Sequence, residues 1–136
     1  MPLLLLRHDG PFPGPVRDGT TLLKLYHLDW EKSHRLRPEG HMSMIMDSAP
    51  VERYLEAFRE GLYDHVADVD CNDLGYLFAA TNNIEGDPWN VAPAEGVTPV
   101  RKAPPMRSTS VGDIVEHGGR LLVVGKFRDI GPISEA

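Results

Sequence analysis

The chain reads as α+β: a small mixed or antiparallel sheet with two helices on one face and a C-terminal β-hairpin completing it. Three observations point there. Residues 111–115 and 121–124 are short β-branched and aliphatic runs, separated by His117-Gly118-Gly119, whose glycines supply the positive φ angles of a tight turn. Val51, Tyr54, Leu55, Phe58 and Leu62 fall at i, i+3, i+4, i+7 and i+11, one apolar stripe along a helix. Residues 63–69 alternate as a strand does, with Tyr63, His65, Ala67 and Val69 on one face and Asp64, Val66 and Asp68 on the other.

The remaining elements follow in order. Residues 2–6 and 21–28 are expected as strands, parted by a stretch whose three prolines and two glycines, within 9–15, enforce a loop. In the second strand Leu23, Leu25 and His27 share a face opposite Lys24 and Tyr26. Residues 30–40 are polar, with Pro38 and Gly40 ending any helical turn, and 42–46 form a short strand candidate. The striped helix opens with Ser48 as N-cap and Pro50 in its first turn, and Gly61 closes it. A second helix is expected over 72–82, with Leu74, Leu77, Phe78 and Thr81 inward. Residues 83–105 carry seven glycines and prolines and read as an ordered loop or crossing strand.

At 136 residues the chain is expected as one domain, 1–136, with room for one modest core. Its 41% hydrophobic and 25% charged residues are globular values and exclude wholesale disorder. Leu3 to Leu6 is too short a run for a membrane span or the apolar part of a signal peptide, so no membrane role is expected. Cys71 is the sole cysteine, which rules out an intramolecular disulfide and a cysteine-based zinc site and makes a reducing cytoplasm the expected compartment. The charge is uneven. Residues 51–96 hold two basic against ten acidic side chains, net −8, while 1–50 are neutral and 97–136 carry +2. A free nucleic-acid binder shows a basic stripe, and this middle third repels phosphate. It is either a solvated acidic face or a docking surface for a basic partner.

Four constellations could carry chemistry. Asp68, Asp70 and Asn72 open like a calcium loop, but Asp73 stands where the turn glycine belongs and Ala79 where the closing glutamate belongs, so Asp70 or Asn72 is expected to cap the next helix. His27, His34 and His41 recur every seven residues with Asp29 nearby, a zinc or manganese set only if the fold brings them together. Ser108, Ser110, Asp113 and His117 hold the residue types of a hydrolytic triad without a nucleophile elbow, and local hydrogen bonding is the expected role. Trp30 and Trp89 each serve either as an exposed hot spot or as a plug at the edge of a small core.

Leu74-Gly-Tyr-Leu-Phe78, Thr81-Asn82-Asn83-Ile84, Asp87-Pro88-Trp89 and Arg107-Ser-Thr-Ser-Val-Gly-Asp-Ile-Val115 together resemble a family of small uncharacterised phage and plasmid proteins. Those share a helix ending in Thr-Asn, a Pro-Trp element and an Arg-Ser-x-Ser-Val-Gly-Asp hairpin. The closing hairpin is also similar to the YodL-like domain of mobile-element proteins, with Phe127 and Ile130 at its aromatic-x-x-aliphatic ending. The resemblance covers about residues 70–130. It implies origin on a bacterial mobile element and brings no catalytic residue.

The function expected is that of a non-enzymatic phage or plasmid accessory protein, without cofactor or metal, in the cytoplasm of a bacterial host. It would bind and inhibit or modulate a host protein of the nucleic-acid machinery, a polymerase or a defence system, through that protein's basic surface. Glu52, Glu56, Glu60, Asp64 and Asp68 are the candidate charged patch and Trp89 the aromatic anchor. Two other classes stay open. One is a small metal-dependent hydrolase or nuclease using His27, His34 or His41 with Asp29. The other is a nucleic-acid-binding module using Arg101, Lys102, Arg107, Arg120, Lys126 and Arg128, although direct nucleic-acid binding is not expected given the acidic middle.

Overall fold

In the computed structural model, residues 22–83 and 88–133 are described. They form β1 (Leu22–Leu28), α1 (Trp30–Leu36), α2 (Pro38–Ile45), α3 (Val51–Arg59), β2 (Tyr63–Asp70), α4 (Leu74–Ala80), β3 (Val97–Pro99), β4 (Ile114–His117), β5 (Arg120–Val123) and β6 (Arg128–Pro132). The strands make one antiparallel sheet in the order β3-β2-β1-β4-β5-β6, so the fold is α+β as expected. The strand anticipated at 2–6 and the loop at 9–15 lie outside the described residues.

Two expectations fail between 30 and 46. The polar stretch is helix α1, and the methionine-rich segment is helix α2 rather than a strand. Asp29 caps α1, its carboxylate accepting from Lys32 N at 3.0 Å. Pro38 does end α1, but it also begins α2 at N1, where a missing N–H costs nothing. Among the described residues four helices therefore accompany the sheet instead of two.

Helix α3 keeps its stripe, with Tyr54 and Ala57 fully buried and Val51, Leu55 and Phe58 packed against the core. Its N-cap position is held by Pro50, while the Ser48 hydroxyl donates to Ser43 O instead. At the other end Gly61 has φ 84°. Gly61 N donates to Phe58 O and Leu62 N to Ala57 O, a Schellman closure. Helix α4 is capped by Asp73, whose Oδ1 accepts from Gly75 N (2.8 Å) and Tyr76 N (3.4 Å); Asp70 and Asn72 are not the caps.

Strands β4 and β5 pair from Ile114↔Val123 to His117↔Arg120, and Gly118 and Gly119 close them with φ of 58° and 86°. Both central residues at positive φ is the condition of the hairpin turn that matches strand twist. Residues 111–113 form a turn before the strand, so the first run starts three residues later than expected. The chain then returns through β6, with a bulge at Leu121/Leu122.

The chain divides into two compact units, Met1–Lys24 with Val66–Thr109 and Leu25–His65 with Ser110–Ala136. The second unit holds a core of Leu28, Met44, Tyr54, Ala57, Leu62, Tyr63, Ile114, Leu121, Val123 and Ile130. In the first unit, β3 lies on β2 through Ala67↔Pro99 and Val69↔Val97, and Leu74 and Leu77 of α4 are buried.

Candidate binding surfaces and the polar motif

The stretch 107–113 is built into the fold at nearly every position. Arg107 O accepts the Trp89 indole N–H at 2.8 Å, and Ser108 Oγ accepts from Asn83 N at 2.7 Å. Thr109 N donates to Thr81 O. Asn83 also receives Trp89 N on its side-chain oxygen and donates to Met106 O. Asn90, fully buried, donates to Arg101 O and Pro104 O and accepts from Met106 N. Asparagine supplies donor and acceptor in one short group, so it can satisfy loop backbone that has no ladder partner. These bonds tie Asn83, Trp89 and Asn90 to the backbone of residues 101–107.

In the second unit, Asp113 is fully buried and accepts from Leu28 N at 2.8 Å through Oδ1 and from Ser110 N at 2.7 Å through Oδ2. His27 Nε2 stands 3.8 Å from Oδ2. The carboxylate thus joins the end of β1 to the entry of β4. Gly112, with φ 98°, gives its carbonyl to the Tyr63 hydroxyl at 2.6 Å. A Cβ there would lie 2.9 Å from Met44 O, so only glycine lets α2 pass this close. Ser108, Ser110, Asp113 and His117 do not assemble as a triad: Ser108 and Asp113 bind backbone N–H groups, and His117 pairs across the hairpin with Arg120.

Trp89 takes the plug alternative. It is 3% exposed, too deep to anchor a partner, because Asn83 and Arg107 pull its backbone and indole inward. Trp30 is the exposed one, at 40%. Of the three spaced histidines, His34 and His41 meet edge to face at 5.6 Å, while His27 lies on β1 beside Asp113. Among the described residues no group of three or more His, Cys, Asp or Glu is placed to hold a metal.

Glu52, Glu56 and Glu60 stand exposed every fourth residue along α3, off its apolar stripe. With Leu55 and Arg59 they line a shallow groove of about 430 Å³. Glu60 pairs with Arg37, and Glu56 lies 3.8 Å from Arg53. These are solvent-exposed pairs, weak in energy, and they set an arginine beside two of the three glutamates. Asp64 is exposed at the start of β2. Asp68 lies in the other unit, opposite Thr98 in the β2–β3 ladder. The candidate patch is thus an α3 face with Asp64 nearby in the chain, and Asp68 belongs to a separate unit.

That unit has its own acidic recess, about 630 Å³, lined by Asp70, Cys71, Asp73, Tyr76, Glu95 and Gly96. Burial raises the Cys71 thiol above its ordinary range, and the thiol donates to Asp73 O at 3.4 Å, so it is held as a protonated group. Burial, then the Glu95 carboxylate, raises the Tyr76 phenol, which donates to Glu95 O. The sequence reading missed this recess because Glu95 lies 24 positions after Cys71 and only the β2–β3 pairing brings them together. The C-terminal cations do not make a common strip of free charge: Arg120 forks onto Asp129, and Arg128 binds Asp47 and Ala49 O.

No helix among the described residues is long and apolar enough to cross a membrane. Comparison with protein-family models, curated proteins and solved structures found no match.

Proposed function

We propose that the protein is a non-enzymatic accessory protein of a phage or plasmid that docks a host protein through the acidic face of α3. One observation carries this reading. Glu52, Glu56 and the C-cap Glu60 face solvent on one side of α3, the last two in exposed pairs with Arg53 and Arg37, while the polar groups of the 107–113 stretch are engaged in internal hydrogen bonds. Carboxylates at this spacing meet lysines or arginines on a partner, and the Leu55 floor of the groove receives an apolar side chain between them. Basic surfaces of that kind belong to proteins shaped for nucleic acid, such as polymerases and restriction-type defence proteins.

The test is a pull-down from bacterial lysate with the wild-type chain and with Glu52→Lys/Glu56→Lys. The proposal expects one stoichiometric partner, eluted by moderate salt and absent from the variant. Recovery of the same partner by both proteins, or of none by the wild type, contradicts it.

A further inference from the structure

We propose that the α1–α2 hairpin is an acid-released latch, held shut by the bond between Ser33 and His41. Ser33 is the single buried residue of α1, and its hydroxyl meets His41 Nδ1 at 2.9 Å in a buried contact. The other large side chains of the helix, Trp30 and Leu36, are 40% and 59% exposed, so little apolar burial holds α1 down. Seven residues are also too few for a helix to persist by itself. Its docking rests on Ser33–His41, on the bond from Asp29 N to Leu62 O, and on two exposed ties, Lys32 Nζ to Gly61 O and Arg37 to Glu60.

His41 is 8% exposed, and the His34 ring lies edge-on against it with centroids 5.6 Å apart. Burial is the chief cause that lowers the His41 pKa, and the charge of His34 lowers it further. Among the described residues no acidic group opposes these two causes. From α1 the facing groups are the Ser33 hydroxyl and the His34 imidazole. From α3 the Arg53 guanidinium fills the space a Cβ on Gly40 would take, and it is turned toward Glu56. On α2 itself the one carboxylate, Glu39, is exposed. A proton on His41 is therefore disfavoured in the closed hairpin, by the burial of its own ring and by the exposed His34 ring set edge-on against it. Opening at Arg37, the one non-helical residue between the helices, relieves this by letting His41 reach water.

The sign follows from linkage. His41 binds its proton more readily in the open hairpin than in the closed one, so acidification favours opening and the closed form is fully favoured above the ordinary imidazole range. The latch does not rest on the docking proposal, although its hinge residue Arg37 pairs with Glu60 at the end of α3.

Amide hydrogen exchange read as protection factors at pH 7.5 and pH 5.0 tests it on the wild-type chain. The expected result is a loss of about tenfold or more in protection over residues 33–45 at pH 5.0, with β4 and β5 amides unchanged. His41→Gln, which keeps a hydrogen-bonding group without the proton, should abolish the difference, and His34→Gln should move it to lower pH. If His41→Gln does not fold, the imidazole titration of His41 by NMR in the wild type replaces it, and loosening must follow that titration. Equal protection at both pH values overturns the latch. So does simultaneous loss of hairpin and sheet protection, which would be global acid unfolding.

Discussion

Asp113 shows how much one side chain can hold. Its two oxygens satisfy two backbone donors from segments 85 and three positions away, in a fully buried site. Asp113→Ala leaves both N–H groups without an acceptor, which should lower stability by about 2–5 kcal/mol in chemical denaturation. Asp113→Asn, keeping one acceptor oxygen, should cost less. At the turn, Gly119→Val places a β-branched residue at φ 86°, and a loss of ~1–2 kcal/mol is expected by the same measurement. The turn glycines at 118 and 119 were legible from sequence because the physics is local. Asp113 was legible in part: local hydrogen bonding was its expected role and its bond from Ser110 N is local, whereas the bond from Leu28 N, 85 positions away, has no signature in the sequence.

The elements divide by the reach of the forces that make them. Helix α3 carries strong periodicity and was read from sequence nearly to its ends, while the β4–β5 hairpin was read at its turn, with β4 beginning three residues later than expected. Helices α1 and α2 do not: α1 has no apolar stripe, and Pro38 gave a stop signal that is equally a start. The overlooked start signal was Asp29, an N-cap ahead of Glu31 in the first turn. Residues 83–105 were expected as an ordered loop or crossing strand, and β3 lies within them, but the brace of Asn83, Trp89 and Asn90 rests on bonds spanning 6 to 25 positions, with no local signature. In the hairpin, Ile114 is fully buried in the core of its unit. Ile114→Ala should cost about 2–5 kcal/mol with an unchanged denaturant slope.

Across the whole molecule, charge decides the behaviour. His41 and His117 both have pKa values lowered chiefly by burial. The unfolded chain binds their protons more readily, so stability should be level above about pH 6.5 and fall as pH drops below it, until the folded-state values are passed. Denaturation midpoints at successive pH values check this, and a rise in stability on acidification would contradict it. The net −8 of residues 51–96 was plain in the sequence, but its partition was not. The carboxylates of α3 stand in one unit and Asp68, Asp70, Asp73 and Glu95 in the other, and arginines 37 and 53 answer two of the α3 glutamates. Docking through that α3 face is the central claim, and the salt dependence of partner affinity tests it most directly. With the captured partner, the dissociation constant of the wild type should rise by about tenfold or more between 50 and 300 mM salt. For Glu52→Lys/Glu56→Lys, binding should already be weak at 50 mM. An affinity indifferent to salt and equal in the variant would contradict the account.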